Sequence, residues 1–146
     1  MMQMMNSFDQ AALVRVQELA RTLPAFPDGR IDYTNAAVAA VLTCFVMADG
    51  KLLLLKRSNK VGAYQGLWHV VAGYLDEPVT PSAKAQVEMQ EELQIASQAV
   101  RRVITAEPYE AHDAALGKTW IIHGVLAELT GLVPILLDWE HTDYRW

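Results

Sequence analysis

Glu88, Glu91 and Glu92 stand at positions i, i+3 and i+4. On an α-helix that spacing gathers all three carboxylates within an arc of about 100° on one face. Like charges so close repel and weaken a bare helix. Lys84, at i−4 from Glu88, is the one basic side chain in the same segment. A hard divalent cation with oxygen ligands relieves such repulsion directly. A solvated acidic face is the other outcome, and the spacing alone leaves both open. Other chemistries find less support. His69, His112, His123 and His141 lack metal-ligand spacing, and neither a Ser-His-Asp arrangement nor a phosphate-cradling Gly-rich P-loop is present.

The acidic trio needs a helix to carry it and a sheet to hold that helix. Thr80-Pro81-Ser82 starts a helix expected to run to about Ile95: Thr80 can cap it, and Pro81 suits the first turn, where its missing N–H would have no partner. Ala85, Met89, Leu93 and Ala96 form an apolar stripe beside the acids. An earlier helix spans residues 8–23, with Leu13, Val16, Leu19, Ala20 and Leu23 on one stripe; it reads as an appendage and a candidate homodimer contact. Strands are expected over 37–47 and 51–57, joined by the hairpin turn Asp49-Gly50, and over 68–72, 99–105 and 119–129. Residues 58–66 form a polar loop. The layout is a mixed sheet with helices packed on it, α+β or α/β.

At 146 residues the chain suits one domain. Hydrophobic residues make up 52% and charged ones 20%, which excludes a disordered or fibrous chain. Twelve Lys plus Arg against seventeen Asp plus Glu leave a net charge of −5. That balance repels phosphodiester backbones, so no nucleic-acid polymer is expected as partner. Small phosphate compounds remain compatible when a cation stands between. Cys44 lies in an apolar run and reads as a buried, inert thiol. The Met-rich start has no basic n-region, and no apolar run approaches the ~20 residues of a membrane span, so a cytoplasmic protein is expected.

Gly73-x5-Val79-x7-Val87-Glu88-x2-Glu91-Glu92-x-Gln94-Ile95 resembles the Nudix box, G-x5-E-x7-R-E-U-x-E-E-x-G-U, with every spacing kept. The hairpin over 37–57 looks like that family's opening strands, Trp68 sits where a Trp often precedes the box, and Glu140-x5-Trp146 resembles its late acidic loop and closing strand. The resemblance implies a Nudix-type α/β/α sandwich over residues 36–146, preceded by a helical arm over 1–35. It further implies a hydrolase that cleaves the pyrophosphate linkage of a small nucleoside diphosphate derivative with Mg²⁺ or Mn²⁺. Glu88, Glu92 and the Ala72 carbonyl would ligate the cation, with Glu91 helping or holding water. The general base would be a box glutamate or Glu140. Lys56 and Arg57 are candidates for the phosphates, and Tyr64 and Trp68 for stacking on a base.

Three positions depart from the pattern: Val79 replaces the first Glu, Val87 the Arg and Gln94 the late Gly. Losing both members of an ion pair costs less than losing one, so Val79 is expected to pack on Val87 and close the loop by apolar contact. The same departures leave a second reading, a Nudix-fold module that binds or senses a nucleotide without turnover.

Overall fold

A computed structural model describes residues 5–146. The reading of the N-terminus as lacking a leader falls partly on residues 1–4, outside the described residues. The first helix, α1 (Ser7–Thr22), begins with a capping box: the Asp9 N–H donates to Asn6 Oδ1 (2.9 Å), and the Asn6 N–H donates to Asp9 Oδ2 (3.4 Å). Of the expected stripe Val16 is buried, with Ala12 beside it, Leu13 and Leu19 are half-buried, and Ala20 is exposed, so the buried face is shifted toward Ala12. Asp9 is buried beside them and reaches the second helix, α2 (Pro81–Leu93), where it accepts the Ser82 N–H (3.1 Å) and hydroxyl (3.0 Å). The Thr105 hydroxyl donates to it as well (2.7 Å). A carboxylate at a helix N-terminus is stabilised by the unpaired N–H groups and the dipole there, and this one bolts α1 onto the body of the fold.

The central strand pair is β1 (Val38–Ala48) with β8 (Lys118–Leu129), parallel from Val38↔Thr119 to Met47↔Glu128. Asp49 and Gly50, both at positive φ (50° and 72°), make the turn from β1 into β2 (Lys51–Leu52). Positive φ at both central residues is what a two-residue hairpin loop demands. Along β1, Leu42, Cys44 and Val46 point inward, and Val125, Ala127 and Leu129 do so along β8. Ala85, Met89 and Leu93 press the buried stripe of α2 onto them, each 0% exposed, worth roughly 1–3 kcal/mol for each of the larger side chains.

The expected strand over 51–57 is broken. Leu53 donates its N–H to the Val46 carbonyl (2.9 Å), and the chain then enters a second, three-stranded sheet as β3 (Leu54–Arg57). There β3 lies between β4 (Trp68–His69) and β9 (His141–Arg145). The first sheet also receives β5 (Val71–Tyr74) on β1, and β6 (Val100–Thr105) and β7 (Tyr109–Asp113) on β8. Strand β7 is additional to the strands expected from the sequence: Tyr-Glu-Ala-His-Asp is short, mostly polar and without a fully buried position. Its pairing with β8 makes it a strand. Among the described residues, two α-helices, a six-stranded mixed sheet and a three-stranded sheet make up the α+β fold.

Helix α2 ends two residues earlier than expected. Gln94 sits in the left-handed region (φ 56°, ψ 37°), where its N–H still reaches the Gln90 carbonyl. Ala96 consequently lies beyond the helix and is exposed rather than part of the stripe. Cys44 is buried, and burial pushes its thiol up to about 12, so it is inert as expected. Among the described residues no helix is long and apolar enough to cross a membrane.

Candidate functional site

Glu88 and Glu92 share one face of α2 near the loop that leaves β5 at Gly73-Tyr74. Glu92 is 2% exposed, and its Oε2 has no hydrogen-bond partner. Burial is the main force raising its carboxyl to about 10, with Glu88 and Glu140 adding repulsion. Glu88 is raised to about 7, again chiefly by burial; Lys84 opposes the rise, and Glu91, Glu140 and Asp76 add to it. Glu91 is exposed on the outer side of the helix.

Gly73 sets the position of Glu88. A Cβ at residue 73 would lie 2.7 Å from Glu88 Oε1 and 2.8 Å from its carboxyl carbon. The helix carboxylate therefore rests directly on the backbone of β5, the strand that also contains Ala72.

The loop between β5 and α2 is closed by charge, not by the apolar contact expected of Val79 and Val87. Val87 is 46% exposed, too open for a buried clasp. Lys84, 8% exposed, instead places Nζ 3.5 Å from Asp76 Oδ1, 3.4 Å from Glu77 Oε1 and 3.6 Å from Glu88 Oε1. Burial alone would pull this ammonium down, but Asp76, Glu88 and Glu77 outweigh it and the net shift is upward. Asp76 precedes Val79 by three positions, and Lys84 precedes Val87 by three. The brace that the box pattern assigns to those later positions is made here one turn earlier. Lys84 was visible in the sequence as a counter-charge to Glu88, but its reach to Asp76 depends on how the loop folds back.

Glu140 arrives from the loop before β9. Its carbonyl accepts the Ser58 N–H (2.8 Å), and its own N–H donates to Asp138 Oδ1 (3.1 Å). The Asp138 N–H donates to the Glu92 carbonyl (3.2 Å), which ties this loop to α2. Burial raises the Glu140 carboxyl, and Glu140 in turn helps to push the Glu92 carboxyl up. The fold thus brings Glu88, Glu92 and Glu140 together and leaves Glu91 at the rim. Among the described residues no three His, Cys, Asp or Glu side chains stand at metal-ligating spacing. Two inward carboxylates of all-oxygen character, one with an unpartnered buried oxygen, nevertheless fit a hard cation such as Mg²⁺, which takes one or two carboxylates and keeps several waters.

The remaining sequence candidates are placed unevenly. The Arg57 side chain is held by the Ala63 carbonyl, to which Nε donates (3.0 Å), and by His69 (3.3 Å). Lys56 lies on β3 opposite Trp68 and Asp143. The ring of Trp68 is covered by the Arg145 guanidinium at 4.8 Å, so one face is already used. Tyr64, held at φ 57°, donates its hydroxyl to Asp113 Oδ2 (2.6 Å) and fastens the 58–67 loop to β7.

A family model for the NUDIX domain matches residues 34–146. The chain belongs to the NUDIX family. No curated protein matches it in sequence. A MutT NUDIX hydrolase from Burkholderia pseudomallei is 27% identical, with a TM-score of 0.59 over 75% of this chain and 81% of that one. A C. elegans Ap4A hydrolase is 23% identical at a TM-score of 0.55, covering 76% of this chain and 79% of that one. A bifunctional NMN adenylyltransferase/ADP ribose pyrophosphatase from Francisella tularensis, complexed with AMP and a Mn ion, is 18% identical at a TM-score of 0.59; 94% of this chain corresponds to 39% of that one. The NUDIX chain described here is accordingly an enzyme of the Nudix hydrolase type, and the acids on α2 lie in the segment that carries the box.

Proposed function

We propose that this protein hydrolyses the pyrophosphate linkage of a nucleoside diphosphate joined to another group, with Mg²⁺ or Mn²⁺. The observation that carries the reading is the buried carboxylate of Glu92, with one oxygen unpartnered and Glu88 and Glu140 beside it. Glu88, Glu92 and the Ala72 carbonyl would hold the cation, with Glu91 at the rim retaining water. When bound, the cation neutralises the diphosphate, lowers the pKa of a bound water and steadies the leaving oxygen. Glu140 is the proton acceptor for the attacking water: burial raises its carboxyl, and it lies on a loop tied to α2. Arg57 supplies positive charge to the phosphates. ADP-ribose, dinucleoside polyphosphates and nucleoside triphosphates fit this chemistry, the first two being named in proteins of the same fold.

Loss of the box Arg and its Glu had favoured a binding module without turnover. The Lys84–Asp76 brace supports the hydrolase reading, because it holds the loop without them. Incubation with a panel of nucleotide diphosphates and either cation, following phosphate products, tests the proposal. Turnover that disappears in folded Glu92→Gln supports it; nucleotide binding with no turnover by the wild type would overturn it.

A further inference from the structure

Four side chains outside the acidic trio form a continuous line. Arg57 NH1 lies 3.3 Å from His69 Nδ1, His69 Nε2 lies 2.8 Å from His141 Nε2, and His141 Nδ1 lies 3.2 Å from Asp138 Oδ1. A guanidinium only donates, so His69 Nδ1 must be the acceptor. A neutral His69 then carries its proton on Nε2 and donates it to His141 Nε2. His141 in turn carries its proton on Nδ1 and donates to the Asp138 carboxylate. No other protonation state satisfies all three contacts. A proton added to His69 would face the guanidinium, and one added to His141 would face the Nε2–H of His69. Burial accordingly lowers both rings, His69 to about 3.

The line joins three strands and one loop. Arg57 ends β3, His69 ends β4 and His141 opens β9, paired directly with Arg57. Its last member, Asp138, accepts from the Glu140 N–H through the same Oδ1 that meets His141. The His141 side chain is 1% exposed and that of Asp138 19%, so water competes weakly for these bonds.

We propose that Arg57, His69, His141 and Asp138 form a directed hydrogen-bond chain that positions Glu140 against Glu92, making both histidines positioning residues for the reaction. This rests on Glu140 acting in hydrolysis, and it adds that Arg57 and the loop of Glu140 are held as one unit.

Nitrogen-15 spectra of the histidines in the metal-free protein at pH 7 test the chain itself. The expected result is two neutral rings, His69 protonated on Nε2 and His141 on Nδ1; a cationic ring, or His141 protonated on Nε2, would overturn it. His141→Phe keeps the ring volume and cuts the line, whereas Asp138→Asn keeps an acceptor oxygen. Amide exchange at Glu140 should rise about tenfold in folded His141→Phe and stay near the wild-type rate in Asp138→Asn. In turnover, kcat should fall by about 10- to 100-fold in His141→Phe with KM within about twofold, and recover largely in Asp138→Asn. Wild-type exchange at Glu140, or wild-type kcat, in a folded His141→Phe variant would defeat the proposal. If the wild type itself hydrolysed nothing, the functional reading would fail while the spectra and exchange rates still decided the chain.

Discussion

Replacing Glu92 by Gln should stabilise the metal-free protein at alkaline pH, an unusual result for a buried site residue. The folded carboxyl is raised to about 10 from an ordinary 4.5. A raised acid contributes its full stability below pH 4.5 and loses it as pH climbs toward the folded value. At pH 8 the unfolded chain carries this group ionised and the folded chain carries it protonated. The difference, 8 minus 4.5 or about 3.5 pH units at about 1.36 kcal/mol each, costs roughly 5 kcal/mol of stability. Gln removes that cost but leaves a poorly partnered amide, worth about 1–3 kcal/mol against it. The net expectation is a gain of about 2–4 kcal/mol at pH 8, or a melting temperature higher by roughly 5–15 °C at this chain length. At pH 4.5 there is almost no proton cost to relieve, and the variant should be slightly less stable than wild type. Thermal unfolding in a chelator at both pH values reads the difference directly. Repeating the pH 8 scan with Mn²⁺ should raise the wild type and leave Glu92→Gln nearly unmoved. If the variant were destabilised equally at pH 4.5 and pH 8, the claim that Glu92 is protonated in the metal-free fold would be wrong.

Three further outcomes follow from individual contacts. Gly73→Ala drives a methyl into the Glu88 carboxyl at 2.7–2.8 Å; Mn²⁺ affinity measured by calorimetry should drop about tenfold or more with the fold intact, since a displaced ligand loses its geometry. Lys84→Met strands Glu88, leaves Asp76 with Arg30 alone (3.7 Å), and should cost about 3 kcal/mol in urea unfolding at pH 8, whereas Lys84→Arg keeps the charge and should cost far less; equal losses would remove the ion-pair account of the loop. Gln94→Gly relieves a left-handed backbone at φ 56° and should raise the unfolding free energy by about 1 kcal/mol without changing metal affinity.

Local chemistry was readable from the chain alone. Asp49-Gly50 turns where two positive φ angles are required, and Thr80-Pro81 opens the helix where a cap and a missing N–H are both useful. The spacing of Glu88 and Glu92 puts them on one face whatever surrounds them, and Ala85, Met89 and Leu93 mark the adjoining, buried stripe. These features depend on neighbours within one turn of helix or one hairpin, so they are encoded over a few residues. What distance along the chain separates, only folding could bring together. Leu53 breaks a leucine-rich run because one sheet ends and another begins there, and β7 exists because β8 offers it a partner. Gln94 stands at a left-handed turn where the box has Gly, and nothing local signals that it tolerates it.

The site shows the same division. Composition and spacing supplied the acids on α2, but Glu91 and Glu92 are adjacent in sequence and end in opposite environments, one exposed and one 2% exposed. Which acid becomes buried, and so raised and ready for a cation, is decided by the packing of α2 on β1 and β5. The loop brace moved from positions 79 and 87 to Asp76 and Lys84 because ion pairs answer to distance in space, and Asp9, His69 and His141 acquired roles through partners 72 or more residues away. Residue type and periodicity determined which groups could do chemistry; the tertiary structure determined which of them lose water, because desolvation depends on everything packed around a group and on almost nothing beside it in the chain.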